Sequence, residues 1–182
     1  RFHRRFPYYG DDRKLVGHYP MMVAKVQGPD GRPVALHRTY LTKDGVKAPV
    51  DEPKKLMKTL GMQGAAVRLY KPGKRLVVCE GIETAFAAHF LTGLPAWSTL
   101  TASLMPDVFI PEEVEEVLVF ADNDLPDEHG IRAGQRAAEK LAQRLEKEGK
   151  KVRVVVPVIS GSDFHDVWIS RLDQAHQQLR AA

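Results

Sequence analysis

The sequence predicts an α/β protein with a mainly parallel four-stranded sheet flanked by helices, preceded by a small α+β subdomain. Two observations carry this prediction. From residue 76 onward, short apolar runs alternate with helical segments, an order typical of parallel sheets covered on both faces. Before that point, two extended runs surround a turn-rich spacer, which indicates an antiparallel hairpin. The predicted domains are therefore residues 1–75 and residues 76–182.

The first part contains the hairpin and little helix. Residues 21–27 and 34–41 are extended runs, and the spacer between them holds two glycines and two prolines, which predicts a β-hairpin with a longer loop. Residues 43–45 (Lys-Asp-Gly) predict a second turn. Residues 53–60 are expected to form a short helix that ends before Gly61.

The sequence of residues 76–182 predicts strands and helices in alternation. The helix near residue 140 has the clearest pattern, because its apolar positions step by three and four residues. That stripe comprises Ile131, Gly134, Ala138, Leu141 and Leu145, and the helix ends at Gly149. The other expected elements are strands over residues 76–79, 96–98, 117–121 and 152–157, and helices over residues 83–91 and 167–179.

Acidic residues follow three of these strands. Glu80 comes after the first, Asp122 and Asp124 after the third, and Asp163 and Asp166 after the fourth. Ligands collect at the carboxyl ends of parallel strands, so these side chains are expected to meet at one edge. Carboxylate oxygens suit Mg²⁺, and a carboxylate beside a hydrophobic strand must be desolvated, paired or metal-bound. The alternatives are solvated turn aspartates and, for Asp163 and Asp166, capping of the last helix.

Charge is divided unevenly along the chain. Residues 1–75 hold 17 Lys and Arg against 6 Asp and Glu, whereas residues 76–182 hold 10 against 17. A basic part joined to an acidic, metal-suited part fits a polyanionic substrate held by one and processed by the other. Arg38, Lys47 and Arg68 are candidate phosphate clamps. Lys54, Lys55 and Lys58 form either a solvated face or a track for nucleic acid.

Other sequence features narrow the class of protein. The single cysteine, Cys79, excludes an internal disulfide and a zinc cage of several thiolates. No run approaches eighteen apolar residues, so no membrane span and no membrane partner are expected. The chain begins at Arg1 and shows no signal-peptide pattern, which suggests a cytoplasmic fragment of a longer protein.

Three motifs in order resemble the Toprim domain. These are Glu80-Gly81 after the first strand, Asp122-x-Asp124 after a later one, and the acidic turn with Asp163 and Asp166. That domain is shared by bacterial-type primases, topoisomerases, and some nucleases and recombination proteins. The resemblance implies that Glu80 is an acid/base or metal ligand, that the two aspartates of the second motif hold Mg²⁺ or Mn²⁺, and that Asp163 or Asp166 completes the cluster. Residues 130–138 resemble the helix start that follows the aspartates in primases, after an insertion of residues 125–129.

The basic part is similar to the corresponding subdomain of bacterial-type primase cores. The similarity covers residues 31–41, 47–50 and Pro53, and it places Arg38 and Lys47 on basic positions facing nucleotide and template. The amino-acid sequence of residues 65–69 and 76–85 most resembles that of primases from plasmids, phages and other mobile elements.

The expected function is that of a metal-dependent primase catalytic core, a nucleotidyltransferase that makes short RNA primers on single-stranded DNA. The implied partners are single-stranded DNA template, nucleoside triphosphates, and a replicative helicase or helicase domain. Two alternatives stay open on the sequence. One is a Toprim nuclease that hydrolyses phosphodiesters with the same metals; the other is a degenerate DNA-binding module.

Overall fold

The computed structural model describes residues 1–57, 59 and 61–181, and side chains in the last helix through residue 180. The chain divides into two compact units, Arg1–Met62 and Gln63–Ala182. This division lies before the predicted boundary at Arg75, because Val67 and Arg68 pair with a strand of the second unit's sheet.

The first unit is an antiparallel sheet. Its strands are β1 (Phe2–Tyr9), β2 (Leu15–Gln27), β3 (Pro33–Tyr40) and β4 (Lys54–Leu56), and they lie in that order. The predicted hairpin is confirmed as β2 and β3, joined by a turn in which Gly31 has a φ of 77°. Strand β1 was not predicted from the sequence. One face of the sheet buries Tyr8, Met21, Tyr40 and Ala48.

The predicted helix over residues 53–60 is wrong in the part that the structure describes. Lys54–Leu56 form β4 instead, and Lys58 and Leu60 lie outside the described residues. The physical reason is tertiary: β4 pairs with β3, opposing Lys55 to Arg38. A weak helical preference over a few lysine-rich residues yields to that ladder.

The second unit contains the mainly parallel sheet. The four predicted strands are present as β6 (Arg75–Cys79), β7 (Ala96–Ser98), β8 (Glu116–Phe120) and β9 (Lys151–Val155). A fifth, unpredicted strand, β5 (Val67–Arg68), runs antiparallel to β7 at the edge. The strand order is β5-β7-β6-β8-β9. The three pairings β7–β6, β6–β8 and β8–β9 are all parallel.

Helices cover both faces of this sheet, as predicted. Helices α1 (Ile82–Thr92) and α3 (Phe164–Ala181) contribute Ala85, Ala88 and Phe164 to one buried cluster. Helix α2 (Ala133–Lys147) contributes Ala137, Ala138, Leu141 and Leu145 to the cluster on the other face. Ile131 departs from the predicted stripe, because it precedes α2 and remains 38% exposed.

Helix α3 begins three residues earlier than its predicted start at Val167. The Asp163 side chain accepts a hydrogen bond from the Asp166 N–H at 2.9 Å, and the Asp166 side chain accepts one from the Asp163 N–H at 3.1 Å. This reciprocal capping box satisfies two N–H groups at the helix start. Across the described residues, no helix is both long and apolar enough for a membrane span.

Candidate metal centre and basic pocket

The carboxyl edge of the parallel sheet gathers the predicted acids. Glu80 follows β6, Asp122 and Asp124 follow β8, and Asp163 and Asp166 flank the start of α3 after β9. Strands β6, β8 and β9 are adjacent and parallel, so their chain ends emerge side by side. The expectation that these five residues lie near one another agrees with their placement.

Asp122 is the electrostatic centre of this group. The pKa of its carboxyl group is raised to about 7, chiefly by burial and then by the negative charges of Asp163, Glu80, Asp124 and Asp166, in that order. Its Oδ1 atom is buried and has no hydrogen-bond partner in the described part of the chain. A buried carboxylate oxygen surrounded by like charges is a place where a cation would be stabilised.

Glu80 and Asp124 face the same point of α2. A Cβ atom on Gly134 would lie 3.7 Å from the Asp124 Oδ2 atom and 3.8 Å from the Glu80 Oε2 atom. These are ordinary van der Waals distances, so they show that both carboxylates lie beside the start of α2. The sequence placed Gly134 only in the apolar stripe of this helix.

The backbone after β7 holds Glu80 in place. The Ser98 hydroxyl, which is fully buried, donates a hydrogen bond to the Glu80 carbonyl at 2.5 Å. The Leu100 N–H donates to the same carbonyl at 2.9 Å, and Leu100 has a φ of 71°. A leucine in this left-handed conformation is strained, and here it accompanies the turn that secures Glu80.

The turn before α3 brings three possible ligand groups together. One atom each of Asp163, His165 and Asp166 lies within 4.8 Å of the others. His165 is a poor ligand for a hard cation, because such ions prefer oxygen over imidazole. Both aspartates also cap α3 through the hydrogen bonds described above, so capping and charge come from the same two side chains.

These residues fit a divalent cation such as Mg²⁺ or Mn²⁺. The donor set consists of carboxylates from three separate strand ends, and the orphaned Asp122 Oδ1 atom lacks the partner that a cation would supply. The site residues that would hold the ion remain those predicted: Glu80, Asp122, Asp124, Asp163 and Asp166.

A basic pocket lies in the first unit. Its volume is about 420 Å³, and its lining includes Arg38 on β3 and Lys47 in the loop before β4. Lys54 and Lys55, two members of the predicted lysine track, line it as well, together with Glu52, Pro53 and Leu56. The structure thus brings two of the three candidate phosphate clamps to one pocket.

Two basic side chains of this pocket are held by aromatic residues. The Arg38 guanidinium donates a long hydrogen bond of 3.5 Å to the Tyr40 hydroxyl, and its buried Nε atom has no partner among the described residues. The Lys55 ammonium donates to the Tyr9 carbonyl at 2.9 Å and lies 4.4 Å from the centre of the Tyr8 ring. Such restraint lowers the entropy lost when a basic group binds phosphate.

Arg68, the third candidate clamp, lies elsewhere. It belongs to β5 in the second unit, and its guanidinium carbon lies 4.6 Å from the centre of the Trp97 ring and 5.9 Å from that of Phe109. The cation–π contact with Trp97 is a structural use of the charge. A contact between Arg68 and phosphate stays a prediction.

Comparison with known proteins agrees with this architecture. Residues 75–174 match the Toprim domain, and residues 1–69 match a domain of unknown function (DUF7146). No curated protein matches the chain significantly in sequence.

Solved structures with the same fold are primases. The primase fragment of the bacteriophage T7 primase-helicase protein aligns with a TM-score of 0.59 and 21% identity, over 96% of this chain and 65% of that one. A DNA primase domain from Pseudomonas aeruginosa aligns with a TM-score of 0.56 and 18% identity, over 92% of this chain and 52% of that one. The DnaG primase catalytic domain bound to ssDNA gives a TM-score of 0.56 and 16% identity, over 95% and 57%.

The chain therefore spans between about half and two thirds of the length of these structures. At these identities the likeness establishes the fold, which is that of primase catalytic cores. The Toprim match covers more than half of the 182 residues and includes all five clustered carboxylates. The chain belongs to the Toprim domain family.

Proposed function

We propose that this chain is the catalytic core of a primase, a DNA-directed RNA polymerase that makes short primers on single-stranded DNA. The observation that carries the proposal is Asp122, whose buried Oδ1 has no hydrogen-bond partner among the described residues and which lies among four further carboxylates at the sheet edge. The fold shared with primase cores supports the choice among Toprim activities.

Mg²⁺ or Mn²⁺, two ions in the mechanism we propose, would neutralise charge on the transferring phosphoryl group and its leaving pyrophosphate. The side chains of this protein would hold the ions at a fixed place. Asp122 and Asp124 supply ligand oxygens from one loop, and Asp163 and Asp166 add negative charge from the next. We assign to Glu80 the role of accepting the proton from the attacking 3′-hydroxyl, because its carboxylate lies at the same edge of the sheet, beside Gly134.

The basic pocket is assigned to phosphate groups of template or nucleotide. Arg38 offers a planar, permanently charged group, and Lys47 and Lys55 add point charges around a cavity of about 420 Å³. Contacts of this kind bind phosphate without reading base sequence. The single-stranded DNA in one similar structure and the helicase in the name of another suggest the expected partners, together with nucleoside triphosphates.

Primer synthesis by the Glu80→Gln variant tests the assignment. The substitution keeps the shape of the side chain and removes its charge. We expect incorporation of labelled nucleotides on single-stranded DNA, with Mg²⁺ or Mn²⁺, to fall by about 10²–10⁴-fold. Single-stranded DNA binding should change little, because it is assigned to the basic unit.

Glu83→Gln provides the matched control. Glu83 lies in the first turn of α1, and the same charge is removed three residues away. We expect a much smaller loss of incorporation for this variant. Equal activity of wild type and both variants would refute the primase assignment of the site, and metal-dependent cleavage of DNA without incorporation would favour the nuclease.

A further inference from the structure

Four of the five acids of the candidate site come from two loops that need to be held together. One follows β8 and carries Asp122 and Asp124; the other follows β9 and leads to Asp163. Hydrophobic burial does not anchor the second loop at its middle, because Val158 is 99% exposed and Ile159 is 73% exposed. Polar contacts must therefore fix its position.

Asn123, the only asparagine in the sequence, provides those contacts. Its N–H donates to the Ser162 carbonyl at 3.0 Å, and its carbonyl accepts from the Gly161 N–H at 2.6 Å. Its side-chain Nδ2 donates to the Pro157 carbonyl at 3.0 Å. Three bonds thus tie one residue to both ends of the loop that precedes α3.

The remaining polar atom of Asn123 contacts a third element. Its Oδ1 atom accepts a hydrogen bond from Nε2 of Gln135, on α2, at 3.1 Å. Every backbone and side-chain polar group of Asn123 is therefore used. Asn123 joins the β8 end, the loop after β9 and the start of α2.

These contacts require an amide side chain at position 123. The side chain must donate to a carbonyl and accept from an amide at once, and asparagine offers both groups on a short stem. Aspartate would place a negative charge against the Pro157 carbonyl and between two existing aspartates. Alanine would lose both side-chain bonds.

We propose that Asn123 is a positioning residue, which holds the loop before α3 so that Asp163 and Asp166 lie beside Asp122 and Asp124. The inference rests on the proposed metal-dependent function. The two loops are bonded directly, because Asn123 contacts Gly161 and Ser162, the two residues just before Asp163. Displacement of this loop would remove that acid from the cation.

Mn²⁺ titration of the full chain, followed by electron paramagnetic resonance, tests the inference. We expect Asn123→Ala to weaken Mn²⁺ binding by about 10–100-fold, as loss of a residue that orients metal ligands does. Asp163→Asn, which keeps an N-capping oxygen, should weaken it similarly. The double variant should bind about as weakly as Asp163→Asn alone, because Asn123 acts through that side chain.

Two further variants make the result specific. Asn123→Ser keeps a neutral polar side chain but is too short to reach both Gln135 and Pro157, so it should also bind Mn²⁺ weakly even if Asn123→Ala folds poorly. Gln143→Ala removes an exposed amide from α2 and should bind as wild type does. Hydrogen exchange of the metal-free protein should be faster in residues 157–162 of Asn123→Ala than of Gln143→Ala.

The outcomes separate the two proposals. Wild-type protein without a Mn²⁺ site would overturn the proposed function and this inference with it. Tight wild-type binding that Asn123→Ala and Asn123→Ser both retain would overturn the inference alone. Full additivity of Asn123→Ala and Asp163→Asn would equally refute an action through Asp163.

Discussion

The Asp122 carboxylate lowers the stability of the folded protein and, for the same physical reason, favours the binding of a cation. Its pKa of about 7 in the folded chain exceeds the ordinary value of 3.8, chiefly through burial. The folded state therefore binds this proton more tightly than the unfolded state does. Its contribution to the free energy of unfolding falls as pH rises from about 4 to about 7.

Asp122→Asn should consequently stabilise the metal-free protein at pH 8. Because water screens the half-buried group, we expect a gain of about 1–2 kcal/mol that disappears towards pH 4. Urea unfolding followed by tryptophan fluorescence is a suitable measurement, since Trp97 and Trp168 both lie in the second unit. Saturating Mn²⁺ should reverse the order by stabilising wild type alone. An unchanged or lower stability of the variant at pH 8 without metal would contradict the electrostatic description.

The sequence predicts which residues lie at the strand ends. It predicts less well the hydrogen bonds and packing contacts that position them. Glu80 and Asp122 could be placed because parallel strands end at a common edge, a consequence of topology. The bonds of Asn123 could not be placed, because its partners in residues 157–162 are more than thirty positions away. Gly134 was visible as a helix glycine, but the position of two carboxylates beside it depends on how α2 packs.

At the scale of elements, the turn between β1 and β2 contains backbone strain at Arg13 that a substitution can relieve. The Arg13 N–H donates to the Gly10 carbonyl at 3.0 Å, and Arg13 has a φ of 59°. This residue ends a tight hairpin turn in the left-handed conformation that glycine adopts without a steric penalty. Arg13 is exposed, so little packing depends on its side chain.

Arg13→Gly should stabilise the first unit by about 0.5–1 kcal/mol, since the relief of backbone strain exceeds the added entropy of the unfolded chain. Hydrogen exchange of the β1 and β2 amides would measure the gain. Arg13→Ala is the matched control, because it removes the same charge and keeps the Cβ atom. Equal protection in the two variants would show that charge, and not backbone conformation, determines the effect.

Elements with strong internal patterns were predicted, and those made by pairing were not. Helix α2 and strands β6 and β8 follow from their apolar periodicity. Strand β4 exists because it pairs with β3, and β5 is two residues long, too short for any pattern. Helix α3 starts early because Asp163 and Asp166 cap each other. The sequence predicted both as candidate caps, but not the reciprocal bonds between them.

At the scale of the whole molecule, the basic charge is concentrated in the first compact unit. Residues 1–62 hold 13 Lys and Arg against 6 Asp and Glu, whereas residues 63–182 hold 14 against 17. The excess does not depend on the choice of boundary, since ending the basic part at residue 75 only enlarges it. We therefore assign nucleic-acid affinity to the first unit and metal affinity to the second.

Salt dependence of single-stranded DNA binding by the full chain tests that assignment. Each phosphate neutralised by a basic residue releases counterions, so affinity should fall steeply with salt, by a logarithmic slope of about 0.7 per contact. Lys47→Ala removes one cation from the basic pocket and should lower the slope by about that amount. Lys140→Ala removes the same formal charge from an exposed position on α2 and should leave the slope unchanged. If both variants reduced the slope equally, net charge would govern binding, and a pocket specific for phosphate in the first unit would be untenable.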